Sequence, residues 1–218
     1  MVRIKNNVDS RSYKISGYLQ GKRNQVSNKT DKGMGMMSTN STDLIDLVKT
    51  FQDRVNQHNV DKIMSMYTED ATFEIVGLSK FAGKQNVKNI FEYDVGVNTK
   101  VQYINCKSEG DTVHCQVLER NDRLEAIGID ELKFSSCIFI FKDNLIQSFK
   151  AEIPPESVQY NAEIWKKFIP WLIKNYPDEY SRMFMDDGRF IYNRKNGSDV
   201  VQLLWKWKEE RKSDIEKT

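Results

Sequence analysis

Apolar residues recur along the chain with two different periods, and the switches between them mark out the elements. Leu44, Leu47, Val48, Phe51 and Val55 share one face of a helix, opened by a cluster of capping residues from Ser38 to Thr42. That pattern runs out at His58-Asn59. Val60 to Tyr67 predicts a second, short helix with Ile63, Met64 and Tyr67 as its apolar positions. Ala71 to Val76 reads as a strand ended by Gly77, and Gly83 precedes a third helix carrying Val87, Ile90 and Phe91. From Val101 the period becomes two. Val101 to Cys106 leads into the turn Glu109-Gly110-Asp111, and Val113 to Arg120 returns. Phe134 to Phe141, the turn Asp143-Asn144 and Leu145 to Ile153 form a second hairpin, closed by Pro154-Pro155. Helices set to one side of an antiparallel sheet predict an α+β architecture.

Beyond Pro155 the helical period returns. Val158, Trp165, Phe168, Ile169, Leu172, Ile173 and Tyr176 form an apolar stripe with Pro170 as a kink, and Pro177 suits the first turn of a short helix through Phe184. Phe190-Ile191-Tyr192 reads as a short extended piece. Ser198 is placed to cap a last helix with Val200, Val201, Leu204, Trp205 and Trp207. The expected organisation is a disordered basic arm over 1–37, one α+β domain over 38–155, and a helical extension over 156–218 packed on that domain.

Charge sharpens the division. Residues 1–37 hold eight Lys or Arg against Asp9 and Asp31, a net of +6. Removing these from the 33 basic and 31 acidic residues of the chain leaves 25 and 29, a net of −4. A body of that sign is a poor match for phosphate backbones, so no nucleic-acid partner is expected. No apolar run approaches the roughly 20 residues needed to span a bilayer, and the N-terminus lacks an apolar secretory signal, so no membrane partner and a cytoplasmic location are expected. Cys106, Cys115 and Cys137 with His58 and His114 show no metal-ligand spacing, and no Gly-rich phosphate loop appears; neither a metal nor a cofactor is expected. A two-residue loop at Gly110-Asp111 would set Cys106 opposite Cys115, whereas a three-residue turn would separate them. In a reducing cytoplasm all three thiols are expected to be free.

The phrase Met66-Tyr67-Thr68-Glu69-Asp70-Ala71-Thr72-Phe73 resembles the junction of second helix and first strand in the nuclear transport factor 2-like superfamily, its SnoaL-like group in particular. Gly83-Lys84 before the third helix and the strand-rich second half with its Asp-Asn turn resemble it too. The likeness covers about residues 42–153, and residues 156–218 resemble the helical tail of a functionally unassigned bacterial and archaeal subgroup. The resemblance implies a cone-shaped curved sheet backed by helices around an apolar pocket, dimerising through the outer face of the sheet.

Its enzymes can be compared position by position. Limonene epoxide hydrolase-like members carry an Arg and an Asp two residues apart at the end of the return strand, and Glu119-Arg120-Asn121-Asp122 is similar. Their second catalytic Asp falls on Ala151, and their water-positioning Tyr and Asn fall on Phe73 and Ile75. For ketosteroid isomerase-like members the base falls on Ile75 and the two oxyanion donors on Phe51 and Cys137. Both sets of machinery are incomplete.

By the family's strand parity, Gln116, Leu118, Arg120 and Asp122 face the pocket, along with Cys137, Phe139, Phe149, Ala151 and Ile153. Phe51, Tyr67, Phe73 and Ile75 belong to the same expected pocket, and Tyr67 and Tyr93 could add hydroxyls. Arg120 and Asp122 then form either a polar handle for a ligand or an ion pair fixing the end of a strand. Glu74, Glu119 and Glu152 point the other way, and Val113, Cys115 and Val117 make an outer apolar patch for a homodimer. His114 is expected to be solvated or hydrogen-bonded near the hairpin. The leading expectation is a module binding a small apolar or amphipathic molecule. An alternative is a lyase, isomerase or epoxide hydrolase using Arg120 and Asp122, and a weaker one is a dimeric protein-interaction scaffold.

Overall fold

A computed structural model describes residues 41–215. The capping cluster at 38–40 and the basic arm over 1–37 lie outside the described residues. Helix α1 (Ser41–Asn56) buries Leu44, Val48, Phe51 and Val55, the stripe its sequence spells out. Asn59 caps α2 (Val60–Met64) by accepting a hydrogen bond from the Lys62 amide at 3.1 Å. The second helix stops there. Tyr67 is not its last turn but the first residue of β1 (Tyr67–Ile75), because the chain at Met66 already pairs with a distant strand: the Ile146 amide donates to the Met66 carbonyl at 2.7 Å.

A reversal at Gly77, whose φ of +75° suits glycine, leads to β2 (Ser79–Ala82). The sequence pattern gives no sign of this strand, which is short and largely exposed. Helix α3 (Lys84–Gly96) follows, then the hairpin β3 (Lys100–Glu109) and β4 (Thr112–Arg120). A single helical turn, α4 (Asp122–Ala126), and the two-residue β5 (Leu132–Lys133) lead into β6 (Ser136–Lys142) and β7 (Leu145–Glu152). The sheet order is β2-β1-β7-β6-β4-β3, with β5 on β4. It is a mixed sheet: β1 and β7 run parallel, and the other pairs are antiparallel. Asp143 and Asn144, at φ +51° and +61°, make the tight β6–β7 turn that brings Lys142 opposite Leu145.

The parity of β4 reverses the expected one. Val113, Cys115 and Val117 are buried in the core, while His114 is exposed and Gln116 and Leu118 look out from the other face. The anticipated outer patch is therefore core, and that face instead carries Leu118, Ile138 and Ile140. The physical reason lies in the strand itself, where from Val113 to Val117 apolar residues hold the odd positions and polar ones the even.

The hairpin closes on the two-residue loop, with Glu109 opposite Thr112 and Lys107 opposite His114. A bulge at Asn105, φ +55°, then shifts the register before Ile104 meets Gln116. Cys106 and Cys115 lie across the hairpin with Cα atoms 4.2 Å apart and are joined as a disulfide, so the expectation of three free thiols is corrected. Cys137 stays free and buried.

Helix α5 (Pro155–Asn175) runs on through Pro170 and buries Phe168 and Leu172. After α6 (Pro177–Met183), Phe184 and Phe190 pair in a short bridge. Helix α7 (Arg194–Ile215) starts earlier than Ser198 suggests, because Asn193 caps it by accepting from the Asn196 amide at 2.8 Å. This helix lies against α3 and α4. Its crossing with α3 is built from two glycines. A Cβ on Gly96 would stand 2.2 Å from the Arg194 carbonyl oxygen, and one on Gly197 would stand 2.7 Å from that of Tyr93. Backbone cannot yield to a methyl group as a side chain can.

Gly96→Ala and Gly197→Ala should each cost about 2 kcal/mol or more, with Gly96→Ala the worse. Thermal unfolding would measure this, and an unchanged midpoint in both would refute the contact. Thiol titration of the unreduced, denatured chain should find one free group, that of Cys137, where separate β3 and β4 thiols would give three.

Candidate functional site

Between α1, α3 and the core face of the sheet lies a cavity of ≈ 40 Å³. Its walls are mostly apolar, with aromatic rings from Phe51, Phe73, Phe91, Tyr103, Phe134 and Phe149. Phe73 and Phe149 stack with centroids 4.7 Å apart, and Phe51 meets Phe91 edge-on at 5.8 Å. Of the expected pocket residues, Phe51, Phe73, Ile75 and Phe149 line this cavity. Tyr67, Cys137, Phe139 and Ala151 are buried in the packing around it. The cone is thus nearly filled by its own side chains, with space for only about three waters.

Gln116, Leu118, Arg120 and Asp122 do not reach the cavity. Arg120 and Asp122 instead border an open hollow of ≈ 350 Å³ with Asn98, Lys100 and Asp130. There Arg120, 72% exposed, pairs with Glu131 at 2.8 Å, and Asp122 accepts from the Asn98 amide nitrogen at 3.2 Å. The hollow is larger, but its charges stay in water, where such pairs do little. The cavity is where electrostatics are strong.

Two acids supply the polar side of the cavity, and neither was singled out from the sequence as part of the pocket. Asp94 comes from α3 and Glu119 from β4. Thr99 Oγ1 donates to Asp94 Oδ1 at 3.3 Å, and Asn121 Nδ2 donates to Glu119 Oε1 at 2.7 Å. Asn121 also caps α4, its Oδ1 accepting from the Leu124 amide at 2.8 Å, so the end of β4 and the start of α4 are held by one side chain. Glu119 faces inward, contrary to expectation, because it shares the alternation of Val113, Cys115 and Val117.

Burial pushes the Asp94 carboxyl well above the ordinary carboxylate range, and the Glu119 charge pushes it further, against the Thr99 hydrogen bond and the Arg123 guanidinium. Glu119 is raised by burial too, opposed by Arg123 and by the Asn121 hydrogen bond. Arg123 is held from the extension, its Nη1 donating to Asn161 Oδ1 on α5 at 2.9 Å. The Tyr67 and Tyr103 phenols are also raised by burial, and Tyr67 Oη, almost wholly buried, has no hydrogen-bond partner among the described residues.

A signal for the acids was present in the pattern. Asp94 stands seven residues after Val87 and four after Ile90, on the apolar stripe of α3, and Glu119 stands on the apolar parity of β4. An acid at a core position of its own element's period marks a buried charge.

No family model and no curated protein sequence matches the chain. Among solved structures it is similar to the epoxide hydrolase/cyclase-like enzyme SalBIII, at 18% identity and a TM-score of 0.48 over 53% of this chain and 93% of that one. It is similar to an LEH-like epoxide hydrolase of M. tuberculosis at 18% and 0.45, over 52% and 80%. A nuclear transport factor 2-like protein of unknown function from Cytophaga hutchinsonii ATCC 33406 aligns at 17% and 0.45, over 58% and 99%. These neighbours are epoxide hydrolase-like and nuclear transport factor 2-like folds, at low identity. Among the described residues no helix is long and apolar enough to cross a membrane, and no group of His, Cys, Asp and Glu could hold a metal ion.

The acid pair sets a pH dependence of definite sign. A carboxyl whose folded pKa is raised favours the folded state fully below its unfolded value, near 3.8 for Asp94, and loses that contribution as pH rises through the folded value. Asp94→Asn and Glu119→Gln, which keep the acceptor oxygens, should therefore raise the thermal midpoint at pH 8, with the gain shrinking towards pH 4. A midpoint lowered equally at both pH values would show that the acids are not buried ionisable groups.

Proposed function

We propose that the chain is a small-molecule-binding domain whose ligand occupies the aromatic-walled cavity and sets a polar group against Asp94 and Glu119. One observation carries this reading: two carboxylates open onto an otherwise apolar cavity at a cost to stability. Core positions filled for stability alone would hold apolar residues there, and a pair of raised acids in a cavity is the arrangement that ligand and proton-transfer sites share. The ≈ 40 Å³ of free space suits a molecule of few atoms, or a larger one that displaces aromatic rings.

An enzymatic reading draws on the same pair rather than on Arg120 and Asp122. Two carboxyls whose environments favour one being protonated while the other is ionised can donate to one substrate atom and accept from another, the requirement of an isomerase or lyase. The open hollow at Arg120 offers no such exclusion of water.

Native mass spectrometry of the protein isolated from its own host should retain a small molecule. Val101→Phe, which fills the cavity from β3, should abolish that retention while the chain stays folded. Retention unchanged by the filled cavity would place the ligand elsewhere. Turnover lost in Glu119→Gln, with binding kept, would move the conclusion to the enzymatic reading.

A further inference from the structure

We propose that the cavity selects a small ammonium ion, the protonated form of an amine with about three non-hydrogen atoms, over neutral and anionic molecules of similar size. This rests on the cavity being the binding site.

The reasoning begins with a count of charge. The titratable groups around the acid pair come from several elements: Tyr93 and Asp94 on α3, Glu119 on β4, Tyr103 on β3, Tyr67 on β1, Cys137 on β6, Arg123 on α4, and Tyr192 ahead of α7. Burial raises the phenols and the Cys137 thiol, which leaves them uncharged near neutrality. Two carboxylates are then balanced by the charge of one cation, Arg123. The cluster lacks one positive charge once both acids ionise. A proton can supply it, and so can a cationic ligand.

The remaining groups fit the second choice. An ammonium has only donors, and the cavity offers acceptors: the Asp94 and Glu119 carboxylates, each already given one hydrogen bond by Thr99 or Asn121. Tyr67 Oη is 1% exposed by residue, has no partner, and lies in a ring cluster with Phe51 and Phe91, which line the cavity. Tyr67 stands behind that wall and does not line the cavity, so its lone pairs come within reach of an N–H only where the Phe51 or Phe91 ring shifts. The aromatic walls favour a cation through their ring faces. Arg123 does not line the cavity, and its Nη1 is engaged by Asn161. A neutral alcohol would leave one carboxylate uncompensated, and an anion would add a third negative charge.

Isothermal titration with ethylammonium, ethanol and acetate tests this on the full chain. Ethylammonium should bind at least tenfold more tightly than either of the others. Its affinity should rise several-fold from pH 5.5 to pH 8, and binding near neutrality should release about one proton to the buffer, since the ammonium replaces the proton that the raised acids would otherwise hold. Asp94→Asn and, as a second variant, Glu119→Gln should each lower ethylammonium affinity tenfold or more while circular dichroism stays unchanged. Ethanol or acetate binding as well as ethylammonium, with Val101→Phe abolishing it, would overturn the ammonium selectivity and leave the cavity reading standing. Affinity that falls as pH rises would overturn it too. Binding by none of the three probes, with a retained molecule still displaced by Val101→Phe, would likewise refute this ligand class alone.

Discussion

Strand β4 lies inside the sheet, hydrogen-bonded to β3 on one side and to β5 and β6 on the other, so its register cannot slip without moving every neighbour. A strand has only two faces, and a shift by one residue exchanges them. With Val113, Cys115 and Val117 committed to the core, Glu119 has no other direction to point. The same register puts Cys115 beside Cys106 on β3 and opposite Cys137 on β6, so all three cysteines lie on one rung. It also sends Arg120 out to solvent.

The acid pair that results is opposed by burial and supported by few partners. Isolated burial of two carboxylates would cost several kcal/mol each, and the Arg123 charge with the hydrogen bonds from Thr99 and Asn121 offsets part of that cost here. Asn121 is the economical part of this arrangement. It satisfies Glu119 with its amide and the first turn of α4 with its carbonyl.

The C-terminal helices belong to the same structure physically. Phe168, Leu172, Val200 and Leu204 join the contiguous core of the sheet and its helices. The glycine crossing brings α7 to the end of α3 that carries Asp94, and Asn161 of α5 holds the guanidinium whose charge acts on both acids. The charge of the cavity is thereby tied to residues remote in sequence. Helix α3 cannot move outward without breaking the contact at Gly96.

Periodicity by itself determined most of the elements: the stripe of α1, both hairpins, the Gly83 start of α3 and the run of helices after Pro155. These depend on local spacing, which short windows of sequence contain. The parity of β4 was also written in its alternation of apolar and polar residues, although family resemblance assigned it to the opposite face. Tertiary structure decided the rest. Tyr67 became a strand residue because β7, nearly eighty positions away, pairs with it. Strand β2 exists only as the partner of β1. The convergence of Asp94 and Glu119 on one cavity, within the field of Arg123, joins a helix, a strand and a capped turn whose spacing in sequence bears no relation to their distance in space. Local pattern says which residues are buried. Only the packed chain says which buried residues share one cavity, because proximity across elements is set by sheet register and helix crossing and not by position along the chain.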